Sequence, residues 1–346
     1  MRIAVVTSSP PMVEGGHMVI ARALRQALQT AGHQAEVLVT PQNRFGRQAS
    51  AYLATWLTDV GMSDGQPIDQ VVSLRYPSYA VRHPRHVCWL NHTMREYYDL
   101  WDRFTAGLGT SGRLKERLRR GLTHTADRYL LTRNVTRLFV QSRTIQQRLA
   151  IWPELRSTVL YPPPPQREYR CDGYDDYVLL VSRLTPLKRV DLFIEALATS
   201  DGQGIRAVIA GEGEDRPRVE ALIERYGLTG RVTLAGHLGD AELLGHLARC
   251  RAVCFPPLDE DYGFVTVEAF ASRKAVITCR DSGGPPELVS DGVQGFVCDS
   301  TPASLGVGLR RVMEDRSLAE RMGTAAADFV KQLTWSDAVR QLTAVD

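Results

Sequence analysis

Short apolar runs of strand type alternate along this chain with apolar repeats of helical spacing. Residues 3–6 form a continuous apolar run, Pro10, Pro11, Gly15 and Gly16 interrupt it, and Met18, Ala21, Leu24 and Leu28 then recur at the helical period. Gly32 and His33 punctuate the helix end and residues 35–39 resume as a strand, which completes a βαβ unit with a parallel sheet. The same order returns later: a buried-type strand at 177–181, a helix at 188–198 with Val190, Phe193, Ile194 and Leu197 on one face, and a strand at 207–210. Helices at 219–226, 241–248 and 265–272 then alternate with strands at 232–234, 252–255 and 275–278. Two doubly wound α/β domains are the simplest account. Tyr161-Pro162-Pro163-Pro164-Pro165 reads as the linker between them, since consecutive prolines favour stiff extended chain; a Pro-rich loop within one domain is the alternative.

Composition narrows the class without naming a partner. The 346 residues are enough for about two domains and exclude a small binding module. A net charge of +3 does not call for nucleic acid. The six cysteines are dispersed with no CxxC pair, and Cys250 and Cys254 have no second pair at zinc-site spacing, so buried thiols are expected and no structural metal. The first apolar run is too short for a secretory core, and no 18 consecutive apolar residues occur. A cytoplasmic protein without a membrane span is the expectation.

In an open parallel sheet, ligands bind beyond the carboxyl ends of the strands, which directs attention to the loops there. The loop at 182–189 carries Ser182, Arg183, Lys188 and Arg189, cations at a helix start whose dipole favours anions. A diphosphate would relieve that conflict, with Arg183 as a planar fork and Lys188 as a point charge; solvated basic residues are the alternative. The next rich loop holds Glu260 and, eight residues on and in the first turn of a helix, Glu268, carboxylates suited to sugar hydroxyls or to a helix dipole. Asp259-Glu260-Asp261 is also literally a DxD triplet, a metal-diphosphate pattern that a Lys/Arg site makes redundant. Gly283-Gly284 and Gly15-Gly16 suit either a close ligand or a tight turn. No GxGxxG fingerprint follows the first strand, which makes a nicotinamide enzyme a minor alternative.

Residues 89–101 gather aromatic and hydrogen-bonding groups, among them Asn91, His92 and Arg95, which suit a polyol as well as a core. Arg113, Lys115, Arg117, Arg119 and Arg120 surround Leu114, Leu118 and Leu122 in a basic amphipathic helix, read either as solvated or as a peripheral membrane contact through 113–122.

Glu260-Asp261-Tyr262-Gly263-Phe264 leading to Glu268 resembles the E-x7-E signature of retaining glycosyltransferases of family 4, with Asp261 where that pattern usually has Gly. Ser182-Arg183-Leu184 with Lys188 resembles the same family's phosphate site, with Arg189 replacing its usual Gly. Gly211-Glu212-Gly213, Gly236, Ser282-Gly283-Gly284-Pro285 with Glu287, and Asp291-Gly292 with Gly295 follow in the family's order. The resemblance covers nearly the whole chain, most strongly at 142–297.

It implies a GT-B architecture of two Rossmann-like domains facing across a cleft: an acceptor-side domain at 1–165, joined by a returning helix at 333–346, and a donor domain at 166–332. It further implies that Arg183 and Lys188 bind the donor diphosphate, that Glu268 holds the ribose, and that Glu260 with Tyr262, Gly263 and Phe264 holds the sugar. Gly15 and Gly16 would lie near the diphosphate, Ser182 beside it, and His92 against the donor sugar. Gly211, Gly213, His237 and Leu238 would meet the base, and Asn91 and Arg95 the acceptor. The activity implied is retaining, metal-independent transfer from a nucleotide diphosphate sugar, UDP-linked before GDP-mannose, to a hydroxyl acceptor. The acceptor is a glycan, a lipid-linked sugar or a small molecule. No cofactor beyond the nucleotide-sugar co-substrate is expected. A nucleotide-sugar hydrolase or 2-epimerase, or a binding protein, is the alternative.

Overall fold

The computed structural model describes residues 1–10, 15–42 and 46–344; Pro11, read above as interrupting the first apolar run, and the last two residues of the expected returning helix lie outside these. The chain divides into two compact units, Met1–Pro162 with Thr334–Asp346, and Pro163–Leu333, so the division falls inside the proline run.

The first unit holds a six-stranded parallel sheet of β1 (Arg2–Ser9), β2 (Gln34–Pro41), β3 (Gln70–Ser73), β4 (His86–Leu90), β5 (Arg137–Val140) and β6 (Thr158–Val159), in the order β2-β1-β3-β4-β5-β6. The strand order reverses between β1 and β3. Helix Gly16–Thr30 follows β1 and buries Ile20, Leu24 and Leu28, as its apolar period requires. Helix Trp335–Thr343, opened by the Thr334 hydroxyl on the Asp337 amide, also belongs to this unit. It sets the Trp335 ring edge-on at 6.1 Å from Trp89, and Gln70 Nε2 donates to its Leu342 carbonyl at 2.8 Å.

Helix Thr110–Tyr129 inverts the usual arrangement. Glu116, Thr123 and Asp127 are its buried residues, and Leu114, Leu118 and Leu122 are exposed. The inversion rests on a tyrosine cluster: Asp127 accepts from Tyr79 at 2.5 Å, from Tyr98 at 2.6 Å and from Tyr52, while Glu116 accepts from Tyr97 at 2.7 Å. Burial pushes the Asp127 carboxyl up to about 6 against the pull of these hydrogen bonds.

The second unit holds β7 (Val178–Val181), β8 (Ala207–Ala210), β9 (Val232–Gly236), β10 (Ala252–Cys254), β11 (Ala275–Cys279) and β12 (Gly295–Cys298), all parallel in the order β9-β8-β7-β10-β11-β12. Helices on both faces demand near-continuous apolar strands, and Val178, Leu179 and Leu180 are accordingly buried. Val178 and Leu180 pack into a core with Phe193 and Leu197 of helix Val190–Ala198 and Leu305 and Leu309 of helix Pro302–Glu314. The order reverses between β7 and β10, so the loops after these two strands flank the switch point. All six cysteines are free thiols, five of them buried.

Candidate functional site

The loop after β7 begins with Ser182, whose amide donates to the Ala210 carbonyl at 3.0 Å, and Leu184 N donates to Glu212 O at 2.9 Å. Two glycines permit this approach. A Cβ on Gly211, whose φ is +132°, would stand 1.8 Å from Ser182 O, and one on Gly213 would stand 2.2 Å from Leu184 O. The main-chain fit between two loops therefore explains both residues without a ligand.

The expected helix at 188 begins later than its apolar pattern suggests. Pro186–Lys188 is a 3-10 turn and the α-helix spans Val190–Ala198, with Arg189 between them at φ 49°, ψ 43°. This left-handed conformation is where glycine fits without strain, which accounts for the Gly of the resembled motif. Arg189 compensates through its side chain. Its guanidinium donates to the carbonyls of Pro256 and Pro257, each at 2.7 Å, and forms a bidentate pair with Asp281 at 2.7 and 2.8 Å. Burial works against ionisation of Asp281, but the bonds from Arg189 and Ser300 outweigh it and hold that carboxyl below the usual range. Arg189 thus clamps the loops after β10 and β11, and the three cations read from this segment have different surroundings.

Lys188 Nζ lies 2.5 Å from Glu260 Oε2 and 5.6 Å from the centre of the Phe255 ring. Arg183 is exposed and, among the described residues, holds no side-chain partner. The loop carrying Glu260 is fixed by its backbone: Leu258 N donates to Leu187 O at 2.7 Å, Glu260 N to Ser282 O at 2.9 Å, and Gly284 N to Glu260 O at 2.8 Å. Gly283 has φ +73°, and a Cβ there would meet Glu260 O at 2.3 Å. Besides the two roles expected of Gly283-Gly284, a close ligand or a tight turn, Gly283 permits a close approach of backbone to backbone. Gly263 opens helix Phe264–Ala271, and Tyr262 is buried with its ring 5.2 Å from that of Phe264.

Glu268 sits one turn deeper in this helix than the first turn expected for it, and it is buried. Its Oε1 accepts from Arg167 Nη1 at 2.7 Å and from Tyr169 OH at 3.1 Å, and Arg167 also reaches Asp240 at 3.2 Å. Burial raises the Glu268 carboxyl above its ordinary value, and the charge of Arg167 opposes that rise. Glu260 and Glu268 therefore have separate partner sets. Sequence reasoning missed Arg167 and Tyr169, whose only signal is a basic and an aromatic residue just after the proline run. His237 is exposed and Leu238 half-buried, both directly beyond β9.

In the first unit, Gly15 is the N-cap of helix Gly16–Thr30 in an extended conformation. His17, also missed, lies at the start of that helix, its Nε2 3.0 Å from Ser9 Oγ at the end of β1. Asn91 and His92 follow β4. His92 Nδ1 is 2.6 Å from Thr93 O, and since a carbonyl only accepts, Nδ1 donates there. Asn91 Oδ1 is buried and, among the described residues, has no hydrogen-bond partner. Arg95 is held by Asp99 at 2.6 Å, with Arg148 3.5 Å from the same carboxylate. Among the described residues no three His, Cys, Asp or Glu side chains gather as a metal site.

Residues 166–329 match the family model of glycosyl transferases group 1. An alpha-D-kanosaminyltransferase of Streptomyces kanamyceticus is 34% identical over 161 residues, covering 45% of this chain and 41% of the relative. A D-inositol 3-phosphate glycosyltransferase of Corynebacterium glutamicum is 26% identical over 190 residues, 52% of this chain and 45% of the relative. The chain thus spans less than half the length of these two relatives. Among solved structures, sucrose-phosphate synthase of Thermosynechococcus elongatus superposes with a TM-score of 0.78 at 16% identity over 98% of this chain and 97% of that one. HepE of Anabaena, in complex with UDP and glucose, gives 0.69 at 18% identity over 98% and 97%. These likenesses show the GT-B fold, and the family match supports a glycosyltransferase of the group 1 kind.

Proposed function

We propose that this chain is a retaining glycosyltransferase that moves a sugar from a nucleotide diphosphate donor, UDP-linked before GDP-linked, to a hydroxyl acceptor. The observation that carries the reading is the pairing of Lys188 with Glu260 at the switch point of the second unit, with Arg183 in the same loop and without a side-chain partner among the described residues. An ammonium has three donors, and the Glu260 carboxylate occupies one direction only. A diphosphate seated there takes the remaining donors of Lys188 and the open fork of Arg183, and Glu260 is left to orient sugar hydroxyls. Glu268, held by Arg167 and Tyr169, presents its second oxygen to the ribose. His237, Leu238 and the edge of the loop at 211–213 lie where the base belongs.

In the reaction, the bond from the anomeric carbon to the phosphate oxygen breaks while the acceptor oxygen forms its bond on the same face. The acceptor proton passes to the departing phosphate, so no metal and no separate base are required of the protein. Charge builds on the diphosphate as the bond breaks, and Lys188 and Arg183 stabilise it there. His92 contacts a hydroxyl of the donor sugar, and Asn91 and Arg95 belong with the acceptor. The UDP complex of HepE favours uridine as the base.

A melting-shift panel of UDP-, GDP-, dTDP- and ADP-sugars tests donor binding, and nucleotide release with and without an acceptor tests transfer. Lys188→Ala is expected to lower turnover about 100- to 1,000-fold with the melting point retained. Stabilisation by none of the nucleotides, or normal turnover in both Lys188→Ala and Arg183→Ala, overturns the proposal.

A further inference from the structure

The exposed leucines of helix Thr110–Tyr129 play no part in the site above. Leu114, Leu118 and Leu122 follow one another at four-residue spacing, so they form one stripe along the helix, and Tyr129 prolongs it. They are 61, 66, 74 and 56% exposed, respectively. The adjacent helix Gln48–Trp56 adds Leu53 at 58%. Between the two helices runs an apolar groove of about 990 Å³, lined by Leu53, Trp56, Leu122 and Tyr129 among others.

Charge on this helix is segregated. Its only acids, Glu116 and Asp127, are both buried and bonded to tyrosines, whereas Arg113, Lys115 and Arg117 are exposed. On a helical wheel Lys115 borders the stripe on one side, and Arg117 and Arg113 border it on the other. A solvent-exposed apolar ridge with basic margins and no exposed acid is the pattern of a helix that lies in a lipid interface.

We propose that this face of the first unit docks on an anionic bilayer surface, with the leucines entering the acyl boundary and the basic margins meeting lipid phosphates. Charge complementarity selects this occupant. A second copy related by a two-fold axis would bring the same basic margins against each other, whereas an anionic leaflet neutralises them. No helix among the described residues is long and apolar enough to cross a membrane, so the contact is peripheral.

Sedimentation of the full chain with vesicles of phosphatidylcholine alone, and of phosphatidylcholine with phosphatidylglycerol, tests the proposal. Binding is expected to the mixed vesicles and to weaken at high salt. Leu118→Glu with Leu122→Glu changes two exposed side chains, and is expected to lower partitioning about tenfold or more while circular dichroism stays that of the wild type. Lys115→Ser with Arg117→Ser is expected to reduce the preference for phosphatidylglycerol. Absence of binding to both vesicles, or equal binding by wild type and the leucine variant, overturns the proposal. So does a wild-type dimer in solution that the leucine substitutions convert to monomer, since a second copy then covers the face.

Discussion

The two sheets end in loops that are secured by different means. Beyond β7 main-chain hydrogen bonds run from Ser182 to the end of β8 and from Leu184 to the segment after it, and beyond β10 from Glu260 and Gly284 to each other's loop, with the Arg189 side chain as an added clamp. At the end of β1 in the first unit side chains add to main-chain links such as Gln42 N to Ser9 O at 3.3 Å: Ser8 Oγ donates to Tyr76 O at 2.5 Å, and His17 Nε2 lies 3.0 Å from Ser9 Oγ. Main-chain joints depend on glycine at fixed places and tolerate no Cβ. Side-chain joints can be rebuilt with other residues. A site that must present one phosphate geometry is well served by the first kind, and a surface that must suit a particular acceptor by the second.

Alanine at equivalent-looking glycines separates the two designs most sharply. Gly211→Ala places a methyl 1.8 Å from Ser182 O and is expected to destabilise the second unit by on the order of 5 kcal/mol or to prevent folding. In Gly15→Ala the added carbon meets, among the described residues, the His17 ring at 3.3 Å, and the expected cost is below about 1 kcal/mol. Urea midpoints of the two variants measure the contrast; equal losses would break it.

The buried charge of the first unit comes next. Asp127→Ala strips the acceptor from three tyrosine hydroxyls, and a loss of about 4 kcal/mol is expected. Its pH dependence has a definite sign. The folded-state carboxyl titrates at about 6, above its ordinary 3.8, so its contribution to stability is fully present below 3.8 and is lost as pH rises through about 6. Asp127→Asn removes this slope, and urea titrations of both proteins between about pH 4 and 7 read the difference.

The smallest effect concerns Arg189. Both Arg189→Ala and Arg189→Gly lose the bonds to Pro256, Pro257 and Asp281, but glycine relieves the left-handed backbone and is expected to remain about 1 kcal/mol more stable than alanine. Melting curves of the two variants decide it. Alanine equal to glycine would mean that the backbone there carries no strain.

The contrast between main-chain and side-chain joints also marks what the sequence disclosed. The strand at 207–210, the proline run where the two units divide and the start of the last helix at Trp335 were legible because each is a local pattern of apolar period or proline. The side chains that hold Glu268, Arg167 and Tyr169, were not legible, for they stand about a hundred residues from it and no local pattern binds them. The outward stripe of Leu114, Leu118 and Leu122 was legible as amphipathic but not as inverted. Only the tyrosines at 52, 79 and 98, scattered along the chain, convert Asp127 into an interior residue.

The helix Trp335–Thr343 has a consequence for synthesis. Because it completes the first unit, with Leu342 and Ala344 carbonyls accepting from Gln70 and Arg137, the opening sheet leaves the ribosome long before its last piece exists. The entire second unit is translated in the interval. The earliest strands therefore wait with Trp89 lacking its Trp335 neighbour until the segment after Leu333 has been made.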